Sequence, residues 1–396
     1  MKKVLYLTRN GLMEPLGQSQ IMSYLRGLAC DYRITIITFE KKEDLDNPSA
    51  EKRVRSECKV HGIRWLPQRF HYYPRGIAPA WSIVVLFYLS LREVRLGARL
   101  IHARSYIPAV VALLINRLIG VPFIFDMRGL WPEELITCGR IRRKSLLHLA
   151  LIHAERICLR RATAVVSLTK AAVSYLKEAY PEEFASNRVY VIPTCADLAR
   201  FKPAPVAQRQ RIIGCVGTVL SGWFRLDWLS TFFRVAATCD PKVWFEIVTR
   251  DAEEKVRTAV GGGKGLQERL SIYSKPPQEV HEAIQRQTAS VMFYAGGVTS
   301  ELGRSPTRMG EVLGCGRPIV TNAGVGDVAQ IIEHYRVGVV VHENSETEMN
   351  QAFNLLEDLL ADPGIEERCR TAAKEIFSLA RGTEALREIY YKSLAS

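Results

Sequence analysis

The sequence predicts an α/β chain of two Rossmann-like parallel-sheet domains, and three observations predict it. Short runs rich in Val and Ile alternate with amphipathic stretches through residues 1–200. The alternation breaks over "IPTCADLARFKPAPVAQRQR" (192–211), whose prolines and charges suit a linker, and restarts at "IIGCVGT" (212–218). At 396 residues the chain is also too long for one ordinary core. The expected division is a first domain over 1–200, a second over 201–380, and a terminal helix, 381–396, returning towards the first.

In the first half the strand-like runs are "VLYLT" (4–8), "ITIITFE" (34–40), "LIHAR" (100–104), "FIFDMR" (123–128), "AVVSLT" (164–169) and "VYVIP" (189–193). Helical patterns at 18–30, 107–119, 144–161 and 170–179 lie between them. Such strands, separated by amphipathic helices, imply a parallel sheet covered on both faces. The second half repeats the scheme with 212–218, 243–249, 270–274, 289–294, 318–322 and 337–341, and its last 50 residues are mostly helical. Open α/β sheets bind ligands beyond the carboxyl ends of their strands, so two such domains are expected to face each other across a cleft.

Composition narrows the class. Hydrophobic residues make up 47% and charged residues 24%, an ordinary soluble composition. No apolar run reaches the ~18–20 residues of a membrane span. The longest, Ile77 to Leu91, is interrupted by Pro79 and Ser82. The opening "MKKVLYLTRNG" reads as a first strand, because its apolar run stops at Thr8-Arg9-Asn10, too early for a signal peptide. Nine cysteines without a C-x-x-C suggest neither a zinc site nor a disulfide framework, and a cytoplasmic location is expected. The net charge of +13 is unevenly placed: residues 1–200 hold 31 Lys+Arg and 17 Asp+Glu, against 23 and 24 in the rest. That half is either a merely soluble basic domain or one facing an anionic partner such as phospholipid, a lipid-linked phosphate or nucleic acid. The interleaved aromatic and basic pattern of a nucleic-acid module is missing, so no nucleic-acid partner is expected.

The stretch "RSPTRMGEVLGCGRPIV" (304–320) carries the strongest local signal. Ser305 is a good N-cap and Pro306 suits a first turn. Arg308 then sits in the first turn, the unfavourable end for a cation against the helix dipole, with Glu311 three residues on, on the same face. Either the two form a surface ion pair worth at most ~0.5 kcal/mol, or a diphosphate docked on the first-turn amides makes the arginine favourable, with Glu311 free to accept from a ribose diol.

This segment resembles the donor-binding segment of the GT-B glycosyltransferases of family 4, also called group 1. Their pattern is a glutamate, seven residues, a second glutamate, then a run of small residues, Gly and Pro. Glu311 and "GCGRPIV" match its second half, while the first glutamate would fall at Gly303. The resemblance is to a sub-branch with Ser-Pro-Thr-Lys/Arg before the glutamate, here Ser305, Pro306, Thr307 and Arg308, and it implies that Arg308 takes over phosphate binding. Glu301 is off register by two and is not assigned the missing role.

Other stretches carry the resemblance along the chain. "NGLMEPLGQSQI" (10–21) is similar to the family's first loop, whose backbone approaches the donor or acceptor: Gly11 and Gly17 permit close approach, with Gly17 on the donor, and Gln18, on the acceptor side, opens a helix with Ser19; a loop with an ordinary cap is the other reading. "FDMRGLWPEE" (125–134) places Asp126 and Arg128 where many members have a His, which implies Asp126 as the polar contact to the transferring sugar; a structural Asp126–Arg128 pair is the other reading. "VIPTCADLARFKP" (191–203) is similar to the interdomain segment and is read as structural. "TNAGVGDVAQII" (321–332) matches the sub-branch at Gly324, Gly326 and Asp327. "GTVLSGWFRLDW" (217–228) lacks the Arg and Lys with which members often grip the diphosphate; Gly217 and Thr218 offer backbone amides, Arg225 is nearby, and Trp223 either stacks on a base or packs in the core, the core being favoured. His102 and Arg104 end another strand on the acceptor side, although a lone His is more often a satisfied structural group. "GRIRRKSLLHLALIHAERICLRR" (139–161) is basic and amphipathic: a solvated face, or, as the charge excess favours, a surface docking on anionic lipid.

The resemblance implies a cytoplasmic, membrane-peripheral enzyme that moves a hexose-type sugar from a nucleoside-diphosphate sugar to a growing glycan or lipid-linked acceptor. It implies retention of configuration, surface polysaccharide or lipopolysaccharide as product class, and neither cofactor nor obligatory metal. Asp126, Arg128 and Arg308 are the expected catalytic residues, with Arg308 and helix-terminal amides stabilising the departing diphosphate. A nucleotide-sugar epimerase of the same fold and a catalytically inactive scaffold are the alternatives.

Overall fold

A computed structural model of the chain describes residues 1–71, 77–184, 188–204 and 210–395. Part of the expected linker, 205–209, lies outside the described residues. The chain divides into two compact units, Met1–Pro193 with Leu379–Ser396, and Thr194–Ser378.

The first unit holds a seven-stranded sheet of β1 (Lys3–Leu7), β2 (Arg33–Glu40), β3 (Arg64–Arg69), β4 (Ala98–Arg104), β5 (Phe123–Asp126), β6 (Ala164–Ser167) and β7 (Val189–Val191). Its order is β3-β2-β1-β4-β5-β6-β7, and every pairing is parallel. All four residues of β5 and all four of β6 are buried, as a sheet covered on both faces requires. The strand order reverses between β1 and β4, so the crevice of this unit opens there.

β3 is absent from the sequence-based expectation. Its residues, Arg-Trp-Leu-Pro-Gln-Arg, carry a proline and two arginines and show no Val/Ile run. Pro67 is tolerated because β3 is an edge strand, paired on one side with β2 only. The first expected helix also shifts. Helical structure starts at Pro15 rather than 18, runs through a wider turn at Gln18–Met22, and ends at Leu28. Gln18 therefore lies inside this run instead of opening it.

The terminal helix, Leu379–Ala395, belongs to the first unit. A Cβ on Gly27 would meet the Thr383 methyl at 2.6 Å, so the helix packs closely on Ser23–Leu28.

The second unit starts at Thr194, ahead of the expected 201. Thr194 is tied into it by its N–H to Ser305 Oγ (3.2 Å) and its Oγ1 to the Ser305 carbonyl (2.7 Å), and Ala196 N–H donates to Phe377 O at 2.7 Å. Its six strands are β8 (Ile212–Val216), β9 (Trp244–Val248), β10 (Leu270–Tyr273), β11 (Ala289–Met292), β12 (Ile319–Asn322) and β13 (Gly338–Val341). They are parallel in the order β10-β9-β8-β11-β12-β13, reversing between β8 and β11. Phe232, Phe233, Phe245 and Phe293 fill one face of this sheet. Phe201, Met309, Val312, Leu313, Ile319 and Phe377 form a second core beneath the segment singled out above.

All nine cysteines are free thiols. Among the described residues no helix is long and apolar enough to cross a membrane.

Candidate functional site

In the second unit, the residues singled out in the sequence gather at the carboxyl ends of β8, β11 and β12. Gly217 follows β8 with φ +135°, a backbone conformation that favours glycine, and its N–H donates to Val248 O at 3.0 Å. Thr218 comes next, followed by Val219 and Leu220, whose N–H groups both donate to Asp251 Oδ2, at 2.7 and 3.0 Å. The chain after β11 passes Gly296, Gly297 and a short 3₁₀ turn, Thr299–Gly303, before helix Thr307–Gly314.

That helix starts one residue later than the sequence suggests. Pro306 is extended (ψ 119°) and occupies the N-cap position, which corrects the expected Ser305 cap. Ser305 instead spends its hydroxyl on Thr194, within 3.1 Å. Thr307 and Arg308 thus open the helix, their amides lacking intrahelical partners by helix geometry, and no acidic residue shares the first turn. The helix is held rigidly. A Cβ on Gly310 would come within 2.6 Å of Phe377 Cβ, and one on Gly314 within 2.9 Å of the Phe201 carbonyl, so both glycines are there for close packing.

Arg308 and Glu311 are in contact: Arg308 Nη1 donates to Glu311 Oε2, with the carboxylate buried and the guanidinium about one-third exposed. A second pair mirrors it. Arg304 Nε lies 2.5 Å from the buried Glu301 carboxylate, also at i,i+3 spacing, and its guanidinium stacks 4.3 Å over Trp223. Trp223 is half-buried and takes this cation on its face, which corrects the favoured core placement. Burial pushes the Glu301 carboxyl above its ordinary range, and Arg304 pulls it back. Both Arg304 and Arg308 act electrostatically on Tyr294, so two cations flank the end of β11. Arg225 is engaged elsewhere, with Asp227 at 2.7 Å.

Gly324 and Gly326 lie in the loop after β12, with φ +83° and +43°. Gly297 N–H donates to Gly324 O at 3.1 Å, Gly326 N–H to Glu301 O at 2.9 Å, and a Cβ on Gly324 would meet Gly297 N at 2.7 Å. Asn322 closes the junction by accepting from Tyr294 N–H (2.7 Å) and donating to Tyr294 O (2.9 Å). The arrangement is a rigid rim of backbone and two arginines at the switch point of the sheet, suited to an anionic group.

In the first unit, Tyr6, His102, Arg104, Asp126 and Arg128 gather at the ends of β1, β4 and β5. Strand pairing alone places Tyr6 beside His102 and Arg104 beside Asp126. Asp126 Oδ2 lies 3.4 Å from both His102 Nε2 and Arg104 Nη1, and its Oδ1 is 3.8 Å from Arg128 Nη1 without a hydrogen bond of its own. Burial works against ionisation of Asp126, yet Arg128, with His102 and Arg104, holds its carboxyl below the usual range. Burial also lowers His102, so the imidazole is the neutral partner of a cluster with two cations and one anion. His102 uses its other nitrogen on Tyr390 Oη at 2.8 Å, and Tyr6 stacks on the ring at 4.3 Å. His102, Arg104 and Asp126 are buried; Arg128 is the member with an open flank and sits in the left-handed region at φ +61°. Strain at such a position is a pointer to function.

The loop after β1 is clamped by Glu40 at the end of β2, a residue the sequence reading passed over. Its buried carboxylate accepts from Leu12 N–H (2.9 Å) and Met13 N–H (3.1 Å). Gly17 is buried against Leu12, whose Cα a Cβ would meet at 2.8 Å, and Gln18 Nε2 donates to Leu12 O at 2.8 Å. Tyr6, Tyr390, Glu40, Arg304 and Asn322 were therefore missed. For Glu40 and Asn322, a polar residue at a strand end was a usable signal; for Tyr390, far along the chain from His102, there was none.

Among the described residues no group of three or more His, Cys, Asp or Glu is placed to hold a metal ion. One Asp-x-Asp triplet, Asp44-Leu45-Asp46, is present in the sequence, at the end of helix Lys42–Leu45, and belongs to no such group.

Comparison with known proteins adds the following. Residues 18–195 match the family model described as a glycosyl transferase 4-like domain. No curated protein sequence matches the chain. Among solved structures the chain is similar to a sucrose-phosphate synthase from Thermosynechococcus elongatus, with TM-score 0.72, 13% identity and 100% of each chain covered. It is similar to HepE of Anabaena in complex with UDP, with TM-score 0.70 and 15% identity over 98% of this chain and 99% of that one. It is also similar to the lipopolysaccharide outer core galactosyltransferase WaaB, with TM-score 0.64 and 11% identity over 98% and 99%. At these identities the structures show the fold, which is GT-B. The matched domain and this fold together support a nucleotide-sugar-dependent glycosyltransferase.

Proposed function

We propose that the protein transfers a sugar from a nucleoside-diphosphate sugar to a glycan or lipid-linked acceptor, with retention of configuration and without an obligatory metal, in surface polysaccharide or glycoconjugate synthesis. The observation that carries the reading is Arg308 in the first turn of helix Thr307–Gly314, on the same carboxyl-end side of the sheet as Gly217, Gly324 and Gly326. A guanidinium has five donors, so Arg308 can keep Glu311 as a partner and still bind phosphate oxygens. Together with the first-turn amides it would stabilise charge on the departing diphosphate. Glu311 has a second carboxylate oxygen for a ribose hydroxyl, and Arg304 on Trp223 adds a cation that the sequence reading did not assign.

In the first unit, Arg128 is assigned to the sugar or acceptor, with Asp126 holding it and His102 and Arg104 buttressing Asp126. The similarity to HepE structures described as complexes with UDP and with UDP-glucose favours a uridine diphosphate donor. The partner of the basic first unit is an anionic membrane surface on the cytoplasmic side.

Calorimetric titration with UDP, GDP, ADP and CMP, with and without magnesium, tests the reading. One diphosphate is expected to bind whether or not magnesium is present, and Arg308→Ala should weaken it at least ~10-fold, as loss of a charge-assisted contact implies. Equal affinity in the variant removes Arg308 from the site. Product analysis then separates the alternatives, since an epimerase converts donor without acceptor and an inactive scaffold converts nothing.

A further inference from the structure

We propose that the segment Arg140–Leu149 of the first unit docks on the surface of an anionic phospholipid bilayer. The inference deepens the acceptor-side reading above and rests on it. Arg140, Arg142, Arg143 and Lys144 are four exposed cations in five residues, directly before helix Leu146–Arg161. A helix N-terminus repels cations, so their placement costs stability locally. Only Arg143 is compensated, by Glu133 at 2.5 Å; among the described residues Arg140, Arg142 and Lys144 make no ion pair.

The first turn of the helix is also inside out. Leu146, Leu147 and Leu149 are 88%, 57% and 53% exposed, while His148 between them is 8% exposed. Packing within the unit does not ask for three outward leucines beside four cations. A bilayer interface does, because leucines enter the acyl boundary while arginines and lysines meet the headgroup phosphates. A polyanion such as nucleic acid would use the cations and leave the leucines in water.

The segment is a fixed platform. Arg140 N–H donates to Leu135 O (2.9 Å), Ser145 N–H to Arg142 O (3.1 Å), Lys144 N–H to His148 Nδ1 (3.2 Å), and Ser145 Oγ caps His148 N–H (3.2 Å). Its place in the fold fits the proposal. Helix Leu146–Arg161 leads down to the start of β6, so its N-terminus lies on the carboxyl-end side of the sheet, the side of Asp126 and Arg128. Docking there would bring that edge to a lipid-linked acceptor.

The test is co-sedimentation of the full chain with vesicles of phosphatidylcholine alone and of phosphatidylcholine with phosphatidylglycerol. The expected result is binding to the mixed vesicles only, falling about 10-fold or more as salt is raised from low to high ionic strength. The triple variant Leu146→Ser/Leu147→Ser/Leu149→Ser and the double variant Arg140→Glu/Arg142→Glu should each lose about 10-fold in partition. A thermal midpoint equal to the wild type shows that each variant is folded; diphosphate titration, which reads the second unit, is run on the same samples, and its failure in the wild type sinks the transferase reading alone. Equal binding to both vesicle types, no binding to either, or wild-type binding in both variants overturns the docking proposal.

Discussion

Glu155 offers the sharpest test of how the first unit is held together. It lies on helix Leu146–Arg161, 3% exposed, with Tyr106 Oη 2.6 Å from its Oε1, Tyr180 as a second phenol partner, and the Glu133 charge acting on it. Burial pushes its carboxyl up to about 7, with both phenols pulling the other way. Tyr106 has one hydroxyl hydrogen but two acceptors, since Gly129 O lies 3.2 Å away. Both contacts are hydrogen bonds only when Glu155 is protonated and donates to Tyr106, whose own hydrogen then goes to Gly129. Ionised Glu155 takes that hydrogen and leaves the carbonyl next to Arg128 without its donor.

The sign follows from the raised value. The folded state holds a proton that the unfolded chain, at the ordinary 4.5, releases. The stabilisation is full below about pH 4.5, falls as pH rises, and is lost above the folded value near 7. At about 1.4 kcal/mol per pH unit the gap amounts to about 3 kcal/mol. Glu155→Gln keeps a donor for Tyr106 and does not titrate. Urea unfolding of both proteins from pH 4.5 to 8, followed by tryptophan fluorescence, should show the wild type losing about 3 kcal/mol relative to the glutamine variant across that range. Other groups titrate alike in both proteins and cancel in the difference. A wild-type-minus-variant difference that is flat with pH refutes the protonated-acid account.

Three further outcomes are expected. Asp126→Asn leaves the buried Arg104 and the partly open Arg128 without their counter-ion and should cost about 3–5 kcal/mol in chemical denaturation; an unchanged midpoint would show the cluster is not a structural ion network. Glu40→Ala frees the buried amide of Leu12 and the half-buried amide of Met13 and should cost about 2–4 kcal/mol, with hydrogen exchange of those two amides as the local readout; retained protection would show the loop holds without its clamp. Gly310→Ala forces a methyl against Phe377 and should cost about 1–3 kcal/mol and weaken diphosphate binding together; a thermal midpoint equal to the wild type would mean the helix shifts at no cost.

The strand-to-helix alternation was legible because parallel strands covered on both faces need continuous Val/Ile runs, and all six strands of the second unit were read from that signal. β3 escaped it because an edge strand tolerates Pro67 and two arginines that no central strand would accept. The strand-end rule pointed to Asp126 and Arg128, since it depends on topology that the alternation already implies, and helix polarity singled out Arg308.

By itself, then, the sequence determined the two parallel sheets, the ends at which chemistry gathers, and the misplaced cation at Arg308, because periodicity and helix polarity are local properties. Tertiary structure alone decided that Glu40 clamps the first loop, that Arg304 lies on Trp223, that Tyr390 completes the His102 cluster, and that Leu146, Leu147 and Leu149 face outward. Those depend on which distant segments share a surface, and on which side of a helix is left uncovered, and neither is written in the spacing of residues along the chain.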